Sequence, residues 1–248
     1  MEPQKYKFNP KPEFEERLNK ILEASKSNDK SIEEDKKAFW KIVHTQPANS
    51  IRCNTIKITP KELKAKLEQE HKWKINQPFE DYPEIMIISS DLGPGEIGRS
   101  KEHLLGYYYV QEISSMMPIL ALKPSEDDNF LDLCASPGSK TTQAAAMMKN
   151  TGNIMANDDN LGRMVILASN LEKCGVSNVV VMRRDGVQLC KNLVKNDFKF
   201  SKILVDAPCS GEGTLRSSPR TFLSWNIKSV QNLSRIQRAL AASALETL

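Results

Sequence analysis

The sequence lacks several features that would place it in a specialised class of protein. No run of about 18 apolar residues occurs, so no membrane span is expected. The opening residues, MEPQKYKFNPKPEFEER, are too charged and too rich in proline for a secretory signal. The five cysteines are scattered without a C-x-x-C pair, so neither a disulfide framework nor a cysteine zinc site is expected. These absences favour a globular, cytoplasmic protein with free thiols.

Motifs for metals and for common nucleotides are also missing. The three histidines, His44, His71 and His103, have no metal-ligand spacing, and no metal is expected. No G-x-G-x-x-G occurs, which disfavours NAD. The stretch CASPGSKT approaches the ATP-binding pattern G-x-x-x-x-G-K-[ST], but Cys134 and Ser139 stand where that pattern needs glycines.

Charge is unevenly distributed along the chain. The net charge is only +4, yet residues 183–238 contain eleven Lys or Arg against four Asp or Glu. Such a stretch can attract phosphates, and it can equally be an ordinary solvated basic face. Charge alone leaves both interpretations open.

Two regions are predicted, residues 1–92 and 93–248. The first combines helical apolar spacing in residues 1–45 with a small strand–helix–strand unit that is RRM-like in outline. Within that unit, Thr59, Pro60 and Glu62 have the spacing of a helix N-terminus. The unit lacks the aromatic pattern with which RRM sheets stack RNA bases. The turn-rich stretch DLGPGEIG, residues 91–98, is the expected boundary.

The second region alternates apolar strand-like runs with helical segments. Four such β–α units in a row predict an α/β fold with a parallel, doubly wound sheet. The predicted strands are residues 129–134, 152–158, 178–182 and 201–208.

Acidic residues lie at or just beyond the ends of three of these predicted strands. Asp158, Asp185 and Asp206 come at successive strand ends, where open α/β sheets bind ligands. The first strand leads instead into the Pro137–Gly138 turn, whose backbone N–H groups can face a ligand at a helix N-terminus. A glycine-containing turn, a ribose acid and an adenine-side acid suit S-adenosylmethionine. The competing interpretation is that aspartates simply end strands and cap helices.

Four stretches then resemble motifs of a known family. LDLCASPGSKTTQ, ANDDNLGR, RRDG and VDAPCSGEGTLR are similar to motifs I to IV of the Sun/Nop (RsmB-type) RNA cytosine-C5 methyltransferases, and GYYYVQEISSMMP is similar to the segment before motif I. The resemblance runs from about Gly98 to the end of the sequence. It implies a Rossmann-like class I methyltransferase domain, S-adenosylmethionine as cofactor, tRNA or rRNA as substrate, and a monomer.

The resemblance also implies roles for individual residues. Asp158 would hold the cofactor ribose with Arg163 nearby, Asp185 would lie by the adenine, and Asp206 would lie between the cofactor and the target cytosine. Apart from the resemblance, Arg216 and Arg220, just after the Cys209 loop, are candidates for contacts with RNA phosphates. The segment expected to cradle the methionine part of the cofactor, called the cofactor turn below, consists of Cys134, Ala135, Ser136, Pro137, Gly138, Ser139 and Lys140.

The resemblance also implies a role for the cysteine of the Pro-Cys motif. In this family a cysteine in a later Thr-Cys motif attacks C6 of cytosine, whereas the Pro-Cys cysteine, here Cys209, assists product release. No cysteine follows Cys209 in the sequence. The expectation is therefore a fragment that lacks the C-terminal strands and is inactive on its own. Two alternatives stay open, a cofactor- or RNA-binding remnant without catalysis and an exocyclic-amine methyltransferase. The latter class uses [DNS]-P-P-[YFW], which D-A-P-C does not match.

Overall fold

Residues 10–24, 31–218 and 221–248 are described by the computed structural model. They group into two units, each with its own internal contacts. Residues 48–207 and 239–248 form the first, called the sheet unit below, and the described parts of residues 1–47 and 208–238 form the second, called the helical unit.

The helices of the described residues are distributed over both units. In chain order they are α1 (Pro12–Ala24), α2 (Ile32–Val43), α3 (Pro60–Glu70), α4 (Glu96–Arg99), α5 (Lys101–Leu104), α6 (Ile113–Leu122), α7 (Ser139–Met147), α8 (Leu161–Cys174), α9 (Gly186–Lys195), α10 (Thr221–Ser224) and α11 (Ile227–Leu245). None of them combines the length and the apolarity that a membrane crossing requires.

The sheet unit contains a small antiparallel sheet. Its strands are β1 (Asn49–Cys53), β2 (Ile75–Asn76), β3 (Ile85–Ile88) and β4 (Tyr108–Val110), in the order β2-β3-β1-β4. Helix α3 begins as predicted, because the Thr59 side chain accepts from the N–H of Glu62 while the Glu62 side chain binds the N–H of Thr59. Strand β4 joins this sheet although it lies beyond residue 92, so the sheet continues past the expected boundary. The division at residue 92 stays a prediction.

The predicted parallel sheet lies in the same unit. Its strands are β5 (Asn129–Asp132), β6 (Asn153–Asn157), β7 (Val179–Met182) and β8 (Lys202–Leu204), in the order β7-β6-β5-β8 with every pairing parallel. Helices α7, α8, α9 and α11 come after β5, β6, β7 and β8 in turn, which confirms the four β–α units.

Both faces of the parallel sheet are covered. Successive side chains of a strand point to opposite faces, and the neighbours Phe130 and Leu131 on β5 are both fully buried. Phe130 belongs to a cluster with Ile154 of β6, and Leu131 to another with Leu240 of α11. A strand buried on both faces needs a nearly continuous apolar run, which explains why its sequence does not alternate.

The helical unit has an aromatic core of its own. Phe14 packs edge-to-face on Phe222 and Trp225, with ring centroids 5.3 Å and 5.2 Å apart. Trp40 stacks on Phe222 at 5.8 Å. The Trp225 indole N–H also donates to Glu212 Oε1 at 2.7 Å, so the loop after Cys209 is tied to this core.

Candidate active site at the ends of the parallel strands

The cofactor turn leaves β5 and enters α7. Gly138 precedes the helix with φ of +100°, a conformation that side chains disfavour. A Cβ at this position would also lie 2.9 Å from Cδ1 of Leu167. The Ser136–Pro137 peptide is cis. The turn thus brings backbone close to α8 and presents the first N–H groups of α7 at the strand ends, as an anion-binding helix start requires.

Asp158 is placed directly beside this turn. Its carboxylate is 3% exposed and accepts from the backbone N–H of Ser136 at 3.3 Å and of Asn160 at 3.1 Å. Arg163 lies 3.3 Å from the same carboxylate and donates to the carbonyl of Ser136 at 2.8 Å. The Ser136 hydroxyl in turn donates to the carbonyl of Arg163 at 2.8 Å. The structure therefore joins the predicted Asp158 and Arg163 to the turn, and both Asp158 oxygens already have donors from the protein.

Asp132, at the end of β5, is a site residue that sequence reasoning missed. It is 1% exposed, and its Oδ2 accepts from the Thr141 hydroxyl at 2.7 Å. Its Oδ1 is buried without a hydrogen-bond partner among the described residues. Burial raises the pKa of Asp132 to about 7, with a smaller contribution from Asp206, while Thr141, Lys140 and the N–H of Cys134 act in the opposite direction. The sequence carried one signal for Asp132, namely its position near the end of a strand. The three identified aspartates share that position.

Lys140 and Asp206 are brought together from the two sides of the site. Lys140 Nζ lies 2.7 Å from Asp206 Oδ2 and 3.1 Å from the Ser115 hydroxyl. The Lys140 side chain is mostly buried and that of Asp206 is half exposed, so the carboxylate is open to solvent. Strand β5 pairs with β8, which sets the two motifs side by side. This ion pair links the cofactor turn to the D-A-P-C motif, and sequence separation concealed it.

The remaining predicted aspartate has a structural role in these contacts. Asp185 is exposed and caps α9, its Oδ1 accepting from the N–H of Gln188 at 2.9 Å. Asn157, which was not predicted, is buried and joins the ends of three strands. Its amide donates to the carbonyls of Leu133 and Arg184 at 3.1 Å and 3.0 Å. Asn157 thereby fixes the position of the turn that carries Asp185.

Cys134 is half buried at the start of the cofactor turn. Burial, reinforced by nearby carboxylates, raises the pKa of its thiol to about 12. A thiol with such a pKa is protonated near neutrality and is a poor nucleophile. A nucleophilic role is therefore disfavoured for Cys134, and its predicted contact with the cofactor stays a prediction.

Arg52 of β1 supports the turn from behind and was not identified from the sequence. It is 2% exposed and donates to the Ser139 carbonyl at 2.7 Å, to Thr142 Oγ1 at 2.8 Å and to the Gln111 side chain. Burial lowers the pKa of its guanidinium to about 10, so the group remains charged near neutral pH. The buried cation joins the antiparallel sheet to the first turn of α7.

Cys209 belongs to the helical unit, where its side chain is exposed. It lines an open pocket of about 640 Å³ together with Arg17, Arg235 and Arg238. Glu212 is also at this pocket and pairs with Arg17 at 2.9 Å. The thiol is thus accessible in a predominantly basic setting.

The two arginines predicted to contact phosphate have different outcomes. Arg216 donates to the backbone carbonyls of Thr45 and Gln46 at 3.2 Å and 3.3 Å. Those contacts occupy part of the Arg216 guanidinium within the helical unit. Arg220 lies outside the described residues.

Solved structures share this architecture. A methyltransferase homolog protein from Pyrococcus horikoshii is 29% identical, with a TM-score of 0.70 over 84% of this chain and 63% of that one. NSun6 from Pyrococcus horikoshii, crystallised with SFG, has a TM-score of 0.78 over 93% of this chain and 79% of that one, at 22% identity. These neighbours confirm the Rossmann-like class I methyltransferase fold.

Sequence comparison gives the family. A ribosomal RNA small subunit methyltransferase F from Vibrio cholerae serotype O1 (strain M66-2) is 38% identical over 201 residues, which are 80% of this chain. The chain spans about two fifths of that relative's length, 41%. The family model described as 16S rRNA methyltransferase RsmB/F matches residues 119–248, in agreement with the resemblance seen in the motifs. Because that match covers more than half of the sequence, the chain belongs to the RsmB/F family of methyltransferases, whose cofactor is S-adenosylmethionine.

Proposed function

We propose that this protein transfers a methyl group from S-adenosylmethionine to C5 of a cytosine in RNA. The observation that carries the proposal is the ion pair between Lys140 and Asp206. It joins a cofactor turn at the end of β5 to the D-A-P-C-S-G motif that follows β8. A methyl donor and a cytosine would therefore meet at one edge of the parallel sheet, where open α/β sheets bind their ligands.

The residues at this edge fit the cofactor. The unpartnered Oδ1 of Asp132 is a buried acceptor that suits the ammonium group of the methionine part. The start of α7 offers N–H groups to its carboxylate. Asp158 would accept from a ribose hydroxyl in exchange for one of its present donors, and Asp185 would lie near the adenine. When bound, the cofactor supplies an electrophilic methyl group on a sulfonium.

The pair of Lys140 and Asp206 fits a cytosine. A carboxylate accepts from the N4 amino group of cytosine, and an ammonium stabilises negative charge that develops on the ring. Cytosine C5 is a weak nucleophile until a thiolate adds to C6. C5 can then take the methyl group, after which the C5 proton leaves and the thiol is expelled. By the resemblance, a Thr-Cys cysteine performs the attack and Cys209 assists the expulsion.

The surroundings of Cys209 support RNA as the substrate class. Arg17, Arg235 and Arg238 line the same pocket as the thiol. Guanidinium groups are well matched to phosphate oxygens and neutralise the backbone charge of RNA. The matching family model is described as 16S rRNA methyltransferase RsmB/F, so rRNA is the first substrate to test.

The test is methylation of unmodified rRNA and tRNA by the full-length protein with labelled S-adenosylmethionine. We expect 5-methylcytidine in the digested product. N4-methylcytidine would identify an exocyclic-amine enzyme instead, and cofactor binding without methylation would identify a non-catalytic remnant.

Cys209→Ala in the full-length protein tests the cysteine assignment. If Cys209 assists release, the variant accumulates a covalent RNA adduct that appears as a shifted band on a denaturing gel. Cys190→Ala is a control, because Cys190 is a buried thiol in α9, whereas Cys209 is exposed. Loss of methylation without any adduct would show that Cys209 is the attacking thiol.

A further inference from the structure

A second group of potential ligands lies away from the strand ends, in the sheet unit. Glu70 ends α3, His71 follows it, and Glu102 lies in α5. One ligand atom from each residue can be chosen so that all three lie within 4.8 Å of one another. His71 Nε2 is 2.7 Å from Glu102 Oε2.

Glu102 is the member that points to a ligand. Its side chain is fully buried, which is unusual for a glutamate in a short surface helix. Oε2 faces His71, but Oε1 has no hydrogen-bond partner among the described residues. A buried carboxylate with one oxygen unsatisfied is costly unless a cation or a donor occupies the space.

His71 is held so that it can serve as a ligand. The Trp73 ring stacks on the imidazole with centroids 4.7 Å apart. Trp73 is fixed in turn, because its indole N–H donates to Glu96 Oε1 at 2.8 Å. Such outer contacts orient ligand side chains at metal sites.

Among the described residues, the protein's own cations do not complete this arrangement. Lys66 Nζ pairs with Glu70 Oε1 at 2.6 Å, which leaves the second Glu70 oxygen for another partner. A proton on His71 Nε2 would give Oε2 of Glu102 a hydrogen-bond donor, but Oε1 would still have none. A divalent ion held by both glutamates and the imidazole would compensate the buried charge.

We propose that Glu70, His71 and Glu102 bind a divalent transition-metal ion, with zinc as the best match. Imidazole nitrogen and carboxylate oxygen are both zinc ligands, and three protein ligands leave the fourth position to water. Bonds near 2.1 Å in a tetrahedral site place ligand atoms about 3.4 Å apart. His71 Nε2 and Glu102 Oε2, now 2.7 Å apart, would therefore separate by about 0.7 Å, and the exposed Glu70 would move towards them. The ion would tie α3 to α5. This proposal departs from the sequence-based expectation of no metal and does not depend on the proposed function.

The test is zinc titration of the chelator-stripped full chain against a chromophoric competitor. We expect one tight equivalent, and at least tenfold weaker binding in His71→Ala and in the near-isosteric Glu102→Gln. His103→Ala is the matched control, because His103 lies beside Glu102 in α5 but outside the cluster. Lys66→Gln should tighten binding by removing a competing cation.

Two further outcomes decide against the proposal. Equal zinc affinity in the wild type, His71→Ala and Glu102→Gln would overturn it, as would a loss of affinity in Cys209→Ser instead. Replacing zinc by cobalt identifies the type of ligand from the absorption spectrum of the wild-type protein, so this test does not depend on how well a variant folds. Visible d–d bands without thiolate charge transfer are expected, and a thiolate band would place the ion at a cysteine.

Discussion

We expect Asp132 to make cofactor binding dependent on pH. Burial raises the pKa of this carboxyl to about 7 in the protein without cofactor, compared with an ordinary value of 3.8. The ammonium group of S-adenosylmethionine beside Oδ1 would favour the carboxylate and lower that pKa again. Binding below about pH 7 should therefore release a proton from Asp132.

The number of protons released depends on the pKa of Asp132 in the protein without cofactor and on its lower pKa in the complex. At pH 6 a group with a pKa near 7 is about nine-tenths protonated, so binding should release close to one proton. The affinity should fall by up to about tenfold for each pH unit well below 7, and by roughly 50-fold between pH 7 and pH 5. Two charged side chains also act on the pKa of Asp132. Asp206 raises it and Lys140 lowers it.

Calorimetry in two buffers of different ionisation enthalpy measures the released proton directly. Asp132→Asn cannot ionise, so it should bind the cofactor more weakly at pH 8 and release no proton at pH 6. Similar proton release in wild type and variant, or an affinity that does not change between pH 5 and pH 7, would refute the reasoning.

The same pKa has a consequence for stability. A folded pKa above the unfolded value means that the stability associated with Asp132 is intact at low pH and lost as the pH rises through about 7. The loss is at most about 4 kcal/mol. Without cofactor, Asp132→Asn should therefore unfold at higher urea than wild type at pH 8, and no such gain is expected near pH 4.

Three other substitutions probe the site and its support. Asp158→Asn should weaken cofactor binding at least tenfold by calorimetry, since the carboxylate holds both the turn and Arg163; unchanged affinity would remove Asp158 from the site. Arg52→Met should lower the free energy of unfolding in urea by about 2–4 kcal/mol, because buried acceptors on Ser139 and Gln111 lose their donor; a variant as stable as wild type would contradict this. Arg238→Gln should weaken RNA binding and reduce its salt dependence by about one phosphate contact, whereas Lys20→Gln, outside the Cys209 pocket, should not; equal effects would indicate a diffuse basic surface.

Local patterns in the sequence determined much of the architecture. The four β–α units could be predicted because buried strands and amphipathic helices have different apolar periods. The start of α3 could be predicted because Thr59 and Glu62 cap it through contacts three residues apart. The cofactor turn was visible because only a glycine readily adopts the backbone of position 138. In each case the determining interaction lies within a few residues along the chain.

The tertiary structure alone decided which distant residues meet and which become buried. Strand β4 pairs with β1 more than fifty residues away, and Lys140 reaches Asp206 because β5 and β8 are neighbours in the sheet. Asp132 looks like any strand-end aspartate until packing removes water and leaves one oxygen without a donor in the described part of the chain. The pKa of Asp132 and the burial of Glu102 arise from the same cause. Desolvation depends on everything packed around a group, and a one-dimensional pattern carries no record of those neighbours.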